Sequence, residues 1–153
     1  MKAISLWQPY ASFMALALKW NETRNRLTHH RGELAICSAK RTWRRGEFGD
    51  EIEWLVDRLG QVWHKENKLK PVPERALFMP KGFVVCVVDL MDCQPTNGLK
   101  VSPLEFLLGD YSEGRFAWIT RNCRALKTPI PVKGKQGFFN LTPDVEMKVR
   151  AQI

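Results

Sequence analysis

Six consecutive residues, Phe83-Val84-Val85-Cys86-Val87-Val88, constrain this chain more than any other stretch. An unbroken apolar run rich in β-branched side chains suits a strand buried on both faces, at the centre of a covered sheet. The other residues must supply its neighbours and its cover. Strand patterns lie at Lys2–Trp7, Trp20–Arg26, Glu33–Ala39, Arg115–Thr120 and Gln136–Leu141. On Glu33–Ala39, alternation puts Leu34, Ile36 and Ser38 on one face, with Ala35 and Cys37 on the other.

Helical spacing appears between these strands. Tyr10, Phe13, Met14 and Ala17 predict a helix from about Pro9 to Leu18. Asp50 and Glu53 form a capping pattern that opens a helix to about Glu66, its apolar face running from Ile52 through Leu55, Val56 and Leu59. Ser102-Pro103-Leu104-Glu105 combines a cap, a first-turn proline and an N3 glutamate, opening a helix to about Leu108. Thr142-Pro143 starts a short terminal one. Strands and helices do not alternate strictly. The expected class is therefore α+β, a curved sheet or small β-barrel with about three peripheral helices.

Composition excludes several classes. At 44% hydrophobic and 26% charged residues the chain reads as an ordinary globular domain. No segment approaches the roughly 20 apolar residues of a membrane span. Gln8-Pro9-Tyr10 and Ser12 interrupt the N-terminal apolar run, which argues against a signal peptide. Cys37, Cys86, Cys93 and Cys123 show no Cys-x-x-Cys pair, and the histidines offer no zinc spacing with them. Free thiols in a cytoplasmic protein without metal or cofactor are the expectation. The net charge is +8. Eight basic residues lie between Lys19 and Arg45 against Glu22 and Glu33, and six lie between Arg115 and Lys135 with no acid. If the two clusters converge they make a face attractive to phosphate.

Lys19-Trp20-Asn21-Glu22-Thr23-Arg24 concentrates a lysine, a carboxylate, a hydroxyl and an arginine. Lys19 falls at a predicted helix end, where a cation also suits the helix dipole. In the extended segment that follows, Glu22 and Arg24 share a face and Thr23 takes the other.

Several segments together resemble one family. Ile4-Ser5-Leu6-Trp7-Gln8-Pro9-Tyr10-Ala11-Ser12 resembles the opening of bacterial and phage ASCH domains, members of the PUA-like superfamily. Lys19 to Arg24 matches the tail of their G-x-K-x-x-E-x-R signature, with Ala17 where the signature has glycine. Arg31-Gly32-Glu33-Leu34-Ala35-Ile36, Gly114-Arg115-Phe116-Ala117-Trp118 and Lys133-Gly134-Lys135-Gln136-Gly137-Phe138-Phe139 resemble its strands. The resemblance implies a single PUA-like domain over 1–153 with a cleft near the signature. The helix from Asp50 matches nothing in the family pattern, so about 46–80 reads as a helical insertion or lid.

The resemblance also implies chemistry. Related domains bind RNA or modified nucleotides, and some are reported as ribonucleases. A small bacterial relative hydrolyses the amide of 4-N-acetylcytidine through a lysine, a threonine and a glutamate. Its lysine matches Lys19; its threonine falls at Glu22, one residue before Thr23. The expectation is a metal-independent amidohydrolase acting on N4-acylated cytosine nucleosides. The alternatives are an RNA-binding module that reads a modified or flipped base, or a metal-independent ribonuclease.

In the hydrolase reading, neutral Lys19 is a base for Thr23 or water, and protonated Lys19 stabilises an oxyanion. Glu22 shuttles the proton or accepts the cytosine amino group, Arg24 orients Glu22, and Glu113 is the candidate second carboxylate. Trp7 and Tyr10 either stack on a base or pack into the core. Ser38 is either a substrate donor or a quiet strand end. Arg41, Arg44, Arg45, Lys133 and Lys135 are the phosphate-facing residues of the RNA reading. The expected partner is a small modified nucleoside, with RNA on the basic face as the alternative, no membrane, and a monomeric chain.

Overall fold

The structure, a computed structural model, describes residues 1–41, 44, 46–57 and 79–153. The elements in chain order are β1 (Lys2–Leu6), α1 (Tyr10–Ala15), β2 (Asn21–Arg24), β3 (Gly32–Ser38), α2 (50–57), β4 (Phe83–Pro95), α3 (Pro103–Leu107), β5 (Phe116–Pro131), β6 (Phe139–Asn140) and α4 (Pro143–Arg150). They form one six-stranded sheet of order β2-β5-β4-β3-β1-β6. Among the described residues only β1 and β3 pair in parallel. The apolar run falls in β4, between β5 and β3, with Val84 to Val88 buried. Alternation on β3 holds as well: Leu34 and Ile36 join the cluster under α1, while Ala35 and Cys37 join the one under α4.

Two strands outrun their sequence signal. β4 continues past Val88 to Pro95, and β5 continues past Thr120 to Pro131. Charged residues interrupt the apolar pattern there but pair across the ladder, as Arg124 does with Asp89 at 2.8 Å. The register between β4 and β5 shifts three times, and Asn122 has φ of 53°. Bulges of this kind bend and twist a sheet, and asparagine tolerates the left-handed region. The last strand shrinks instead. Only Phe139 and Asn140 of the predicted Gln136–Leu141 pair with β1.

The class is α+β, as expected, and the sheet is curved but open. Among the described residues β2 and β6 remain edges. Side chains span the gap: Arg24 Nη2 donates to the Ser5 carbonyl at 3.3 Å, and Trp118 of β5 stacks on Phe138 with ring centroids 5.1 Å apart. Among the described residues four helices flank it. α1 covers one face of the sheet and α4 the other, through Val145 and Val149. A chain of ion pairs runs from the Met1 ammonium to Glu146, Arg150, Glu33, Arg124 and Asp89, tying α4 to the sheet. Described residues of the predicted 46–80 insertion pack on α1: Val56 is buried with Phe13, and Phe48 lies edge-on to Tyr10 with ring centroids 5.8 Å apart. Leu59 and the rest of that helix's predicted length lie outside the described residues. No described helix is long and apolar enough to cross a membrane.

Candidate active site

Lys19 owes its place to the way α1 stops. The predicted helix to Leu18 ends at Ala15, because the chain turns over: Leu18 N–H donates to Phe13 O at 2.9 Å and Ala17 N–H to Met14 O at 3.0 Å. These are the two bonds of a Schellman motif, whose C′ residue adopts the left-handed conformation glycine favours. Ala17 occupies that position with φ of 55°. The reversal turns Lys19 inward, so it does not act as a charge on the helix end.

Lys19 enters a cavity of about 340 Å³ bounded by the end of β1, the start of α1, β2 and the loop after α3. That volume is within the range of small-molecule sites, roughly 300–1,000 Å³. The Lys19 side chain is only 2% exposed, and its ammonium makes no hydrogen bond. Burial pushes its pKa down, while Glu22 and Glu105 pull it back up in part. A desolvated amine of this kind is a base at lower pH than an ordinary lysine.

Glu105 stands 3.8 Å from Lys19 Nζ. Its carboxylate accepts from the backbone N–H groups of Trp20 (2.7 Å) and Asn21 (3.0 Å) and from the Tyr111 hydroxyl (3.0 Å). Only half of the predicted capping box therefore forms. Ser102 Oγ accepts from Glu105 N–H, but the glutamate is diverted to hold the start of β2.

β2 brings the rest of the cluster. Glu22 Oε1 lies 2.8 Å from Arg24 Nε, as their shared face predicts. Thr23 also lines the cavity, although alternation turns it the other way, because β2 is an edge over which the 109–115 loop folds. Its hydroxyl accepts from Asp110 N–H at 3.1 Å, which leaves its own O–H to donate. Arg115 closes that side, with Nη2 donating to Thr23 O at 3.1 Å and Nε 3.2 Å from Asp110. Three basic and two acidic side chains thus line the space, and Glu105 approaches Lys19 from outside that lining.

No protein-family model matches the sequence. No curated protein matches it either. Solved structures do. ASCH from Zymomonas mobilis is similar with a TM-score of 0.52 over 98% of this chain and 93% of its own, at 16% identity. A serine-to-alanine mutant of that protein gives 0.52, 16% identity and coverage of 98% and 94%, and a tyrosine-to-phenylalanine mutant gives 0.51, 14%, 98% and 96%. This chain has the ASCH fold.

Within that fold the predicted residues separate into two groups. Lys19, Glu22, Thr23, Arg24, Trp7 and Tyr10 all line the cavity. Trp7 is 54% exposed at its mouth, under the Arg41 guanidinium at 4.0 Å from the ring centroid. Tyr10 shares its ring between core and cavity, 6.0 Å from Lys19 Nζ and edge-on to Phe13.

The remaining residues lie elsewhere. Glu113 is exposed and does not line the cavity; Glu105 is the second carboxylate beside Lys19. Ser38 is buried and exchanges hydrogen bonds with the backbone of Phe83, closing the end of the β3–β4 ladder after a bulge. Arg41 pairs with Glu47, whose other oxygen accepts from Arg44 N–H. Lys133 and Lys135 are exposed around Gly134, which packs against Ser5 so closely that a Cβ there would sit 2.4 Å from Ser5 Oγ. Arg45 lies outside the described residues. Among those residues no group of three or more His, Cys, Asp or Glu could hold a metal ion.

Sequence reasoning missed Glu105, Asp110, Arg115 and Tyr111. The capping pattern explains Glu105 locally, Asp110 and Tyr111 sit in a loop without periodicity, and Arg115 reads as a strand start in a basic cluster.

Proposed function

We propose that the cavity is the site of a hydrolase that removes the acyl group from N4-acylated cytosine nucleosides such as 4-N-acetylcytidine. The observation that carries this is the buried Lys19 amine, free of hydrogen bonds, in a nucleoside-sized space it shares with Thr23 and Glu22. Neutral Lys19 takes the proton of the attacking oxygen, that of Thr23 or of a water beside it. The oxygen adds to the amide carbon, and the new ammonium stabilises the oxyanion. As the C–N bond breaks, Glu22 relays that proton from the Lys19 ammonium to the leaving cytosine amine, which returns Lys19 to its neutral form, with Arg24 holding the Glu22 carboxylate in place. With threonine as nucleophile, water then releases the acyl group as a carboxylic acid.

The test follows cytidine release from 4-N-acetylcytidine in the presence of a chelator. Wild type is expected to turn over, and Lys19→Ala to lose about 100-fold or more, the usual scale of general-base catalysis. Undiminished release by Lys19→Ala overturns the proposal. Residual turnover by Thr23→Ala would assign the attack to water.

A second reading, RNA binding without turnover, is favoured by the exposed Trp7–Arg41 pair at the mouth. It expects salt-dependent RNA affinity that drops when Arg41, Arg44 and Arg45 are neutralised.

A further inference from the structure

The strand start that delivers Lys19 to the cavity presents its next two residues to a different hollow. Trp20 and Asn21 line a cleft of about 440 Å³ with Lys100, Glu105, Ile119 and Arg121. It continues past Leu99 and Lys100 into a neighbouring hollow of about 300 Å³.

Three features of the cleft suit one kind of ligand. The first is a fixed aromatic face. Trp20 is 36% exposed, yet its backbone is clamped: its N–H donates to Glu105 and its carbonyl accepts from Thr120 N–H at 3.1 Å. The second is positive charge. The Arg121 guanidinium lies 6.0 Å from the Trp20 ring centroid, and Lys100 is exposed beside it. The third is an unmet hydrogen bond. Asn21 is 94% buried by its 6% exposure, and while its amide N–H donates to Tyr111, its Oδ1 has no partner. A buried acceptor without a donor costs free energy unless a ligand supplies one.

We infer that this cleft is a second site, for a nucleotide whose base stacks on Trp20. The base gives an amino proton to Asn21 Oδ1, and its phosphate lies between Lys100 and Arg121. Base faces stack on aromatic side chains regardless of sequence, and arginine above the ring adds a cation–π contribution. Selectivity comes from the acceptors. Adenine, cytosine and guanine carry an exocyclic amine, whereas the N3–H of uracil is flanked by two carbonyl oxygens that would face the acceptors of Asn21 and Glu105. The adjoining hollow gives room for a neighbouring unit, so the ligand is either a free nucleotide or a stretch of single-stranded RNA. The site is separate from the Lys19 cavity and does not depend on turnover there.

The experiment measures anisotropy of labelled A, C and U oligonucleotides with the full chain, alongside calorimetry with AMP, CMP and UMP. Wild type is expected to bind A and C oligonucleotides more tightly than U. Trp20→Leu is expected to weaken binding about tenfold or more, from the usual stacking contribution. Arg121→Ala, an exposed change that leaves the fold intact, is expected to flatten the salt dependence by about 0.7 in log–log slope. Mononucleotide binding assigns the site to free nucleotides, and oligonucleotide binding alone assigns it to a strand. No binding to either, or loss with Trp7→Leu but not with Trp20→Leu or Arg121→Ala, overturns the inference. Equal affinity for U overturns the role of Asn21.

Discussion

Replacing Lys19 by methionine should abolish catalysis and make the protein more stable. Methionine keeps the length and apolar stem of lysine and removes only the ammonium. That ammonium is buried, makes no hydrogen bond, and has Glu105 at 3.8 Å. At an effective dielectric of 20, attraction over that distance is worth roughly 4 kcal/mol. Withdrawing the charge from water costs several kcal/mol as well. The Lys19 pKa is lowered because burial, its largest cause, together with repulsion from Arg24 outweighs the pull of Glu22 and Glu105.

The partners are not stranded by the change. Glu105 retains its three donors and Glu22 retains Arg24. The net gain should be about 1–3 kcal/mol, the scale of relieving one unsatisfied buried polar group. For a chain of this size each kcal/mol raises Tm by about 2–4 °C. The pH dependence sharpens the test. Because the folded-state pKa lies below the unfolded value, the unfolded chain binds more protons between the two, and wild-type stability gains as pH rises through that window. Lys19→Met should lack that gain. Thermal melts of both proteins from neutral to alkaline pH measure it. An unchanged or lower Tm at neutral pH, with native circular dichroism, would refute the reasoning.

Further outcomes follow from the same geometry. Ala17→Gly should stabilise the fold by about 0.5–1 kcal/mol in denaturant titration, since relief of a left-handed alanine, about 1–2 kcal/mol, exceeds the extra chain entropy of glycine. Glu105→Gln should cost about 1–3 kcal/mol by leaving one of the Trp20 and Asn21 N–H groups unpaired. By removing a carboxylate that raises the Lys19 pKa, it should also move the acid limb of a pH–rate profile to lower pH. At the other end of the molecule, hydrogen bonds from Arg124 and Asn122 hold the Asp89 carboxyl below its ordinary range. Its stabilising contribution is present above that range and lost as pH falls through the folded-state pKa. Melts across acid pH should show that loss in wild type and less of it in Arg124→Ala.

Legibility in the sequence followed the range of the interaction. β4, the two faces of β3 and the Lys19–Arg24 cluster were readable because each rests on neighbours along the chain. The ends of β4 and β5 were not, since Asp89 and Arg124 look like surface charges until the ladder places them together. The site divided in the same way. Glu22 and Arg24 meet by strand alternation alone, whereas Glu105 reaches Trp20 and Asn21 across more than eighty positions of sequence. Local logic assigned that glutamate to a helix cap, and a tertiary hydrogen bond claimed it instead. Ser38, readable as either a substrate donor or a quiet strand end, is a polar strand end whose hydroxyl replaces a ladder bond with Phe83.

The open seam of the sheet bears on how such a site can diversify. A hydrogen-bonded barrel fixes its diameter by strand number and stagger, so changing the lumen means re-registering backbone. Here the gap across the seam is bridged by Arg24 of β2 reaching Ser5 of β1, and by Trp118 of β5 lying against Phe138 just before β6. Those are side chains, each replaceable one at a time. Shorter or longer residues at these positions can widen or narrow the chamber while every ladder keeps its register. Substrate size can therefore drift along a lineage independently of the fold that holds it.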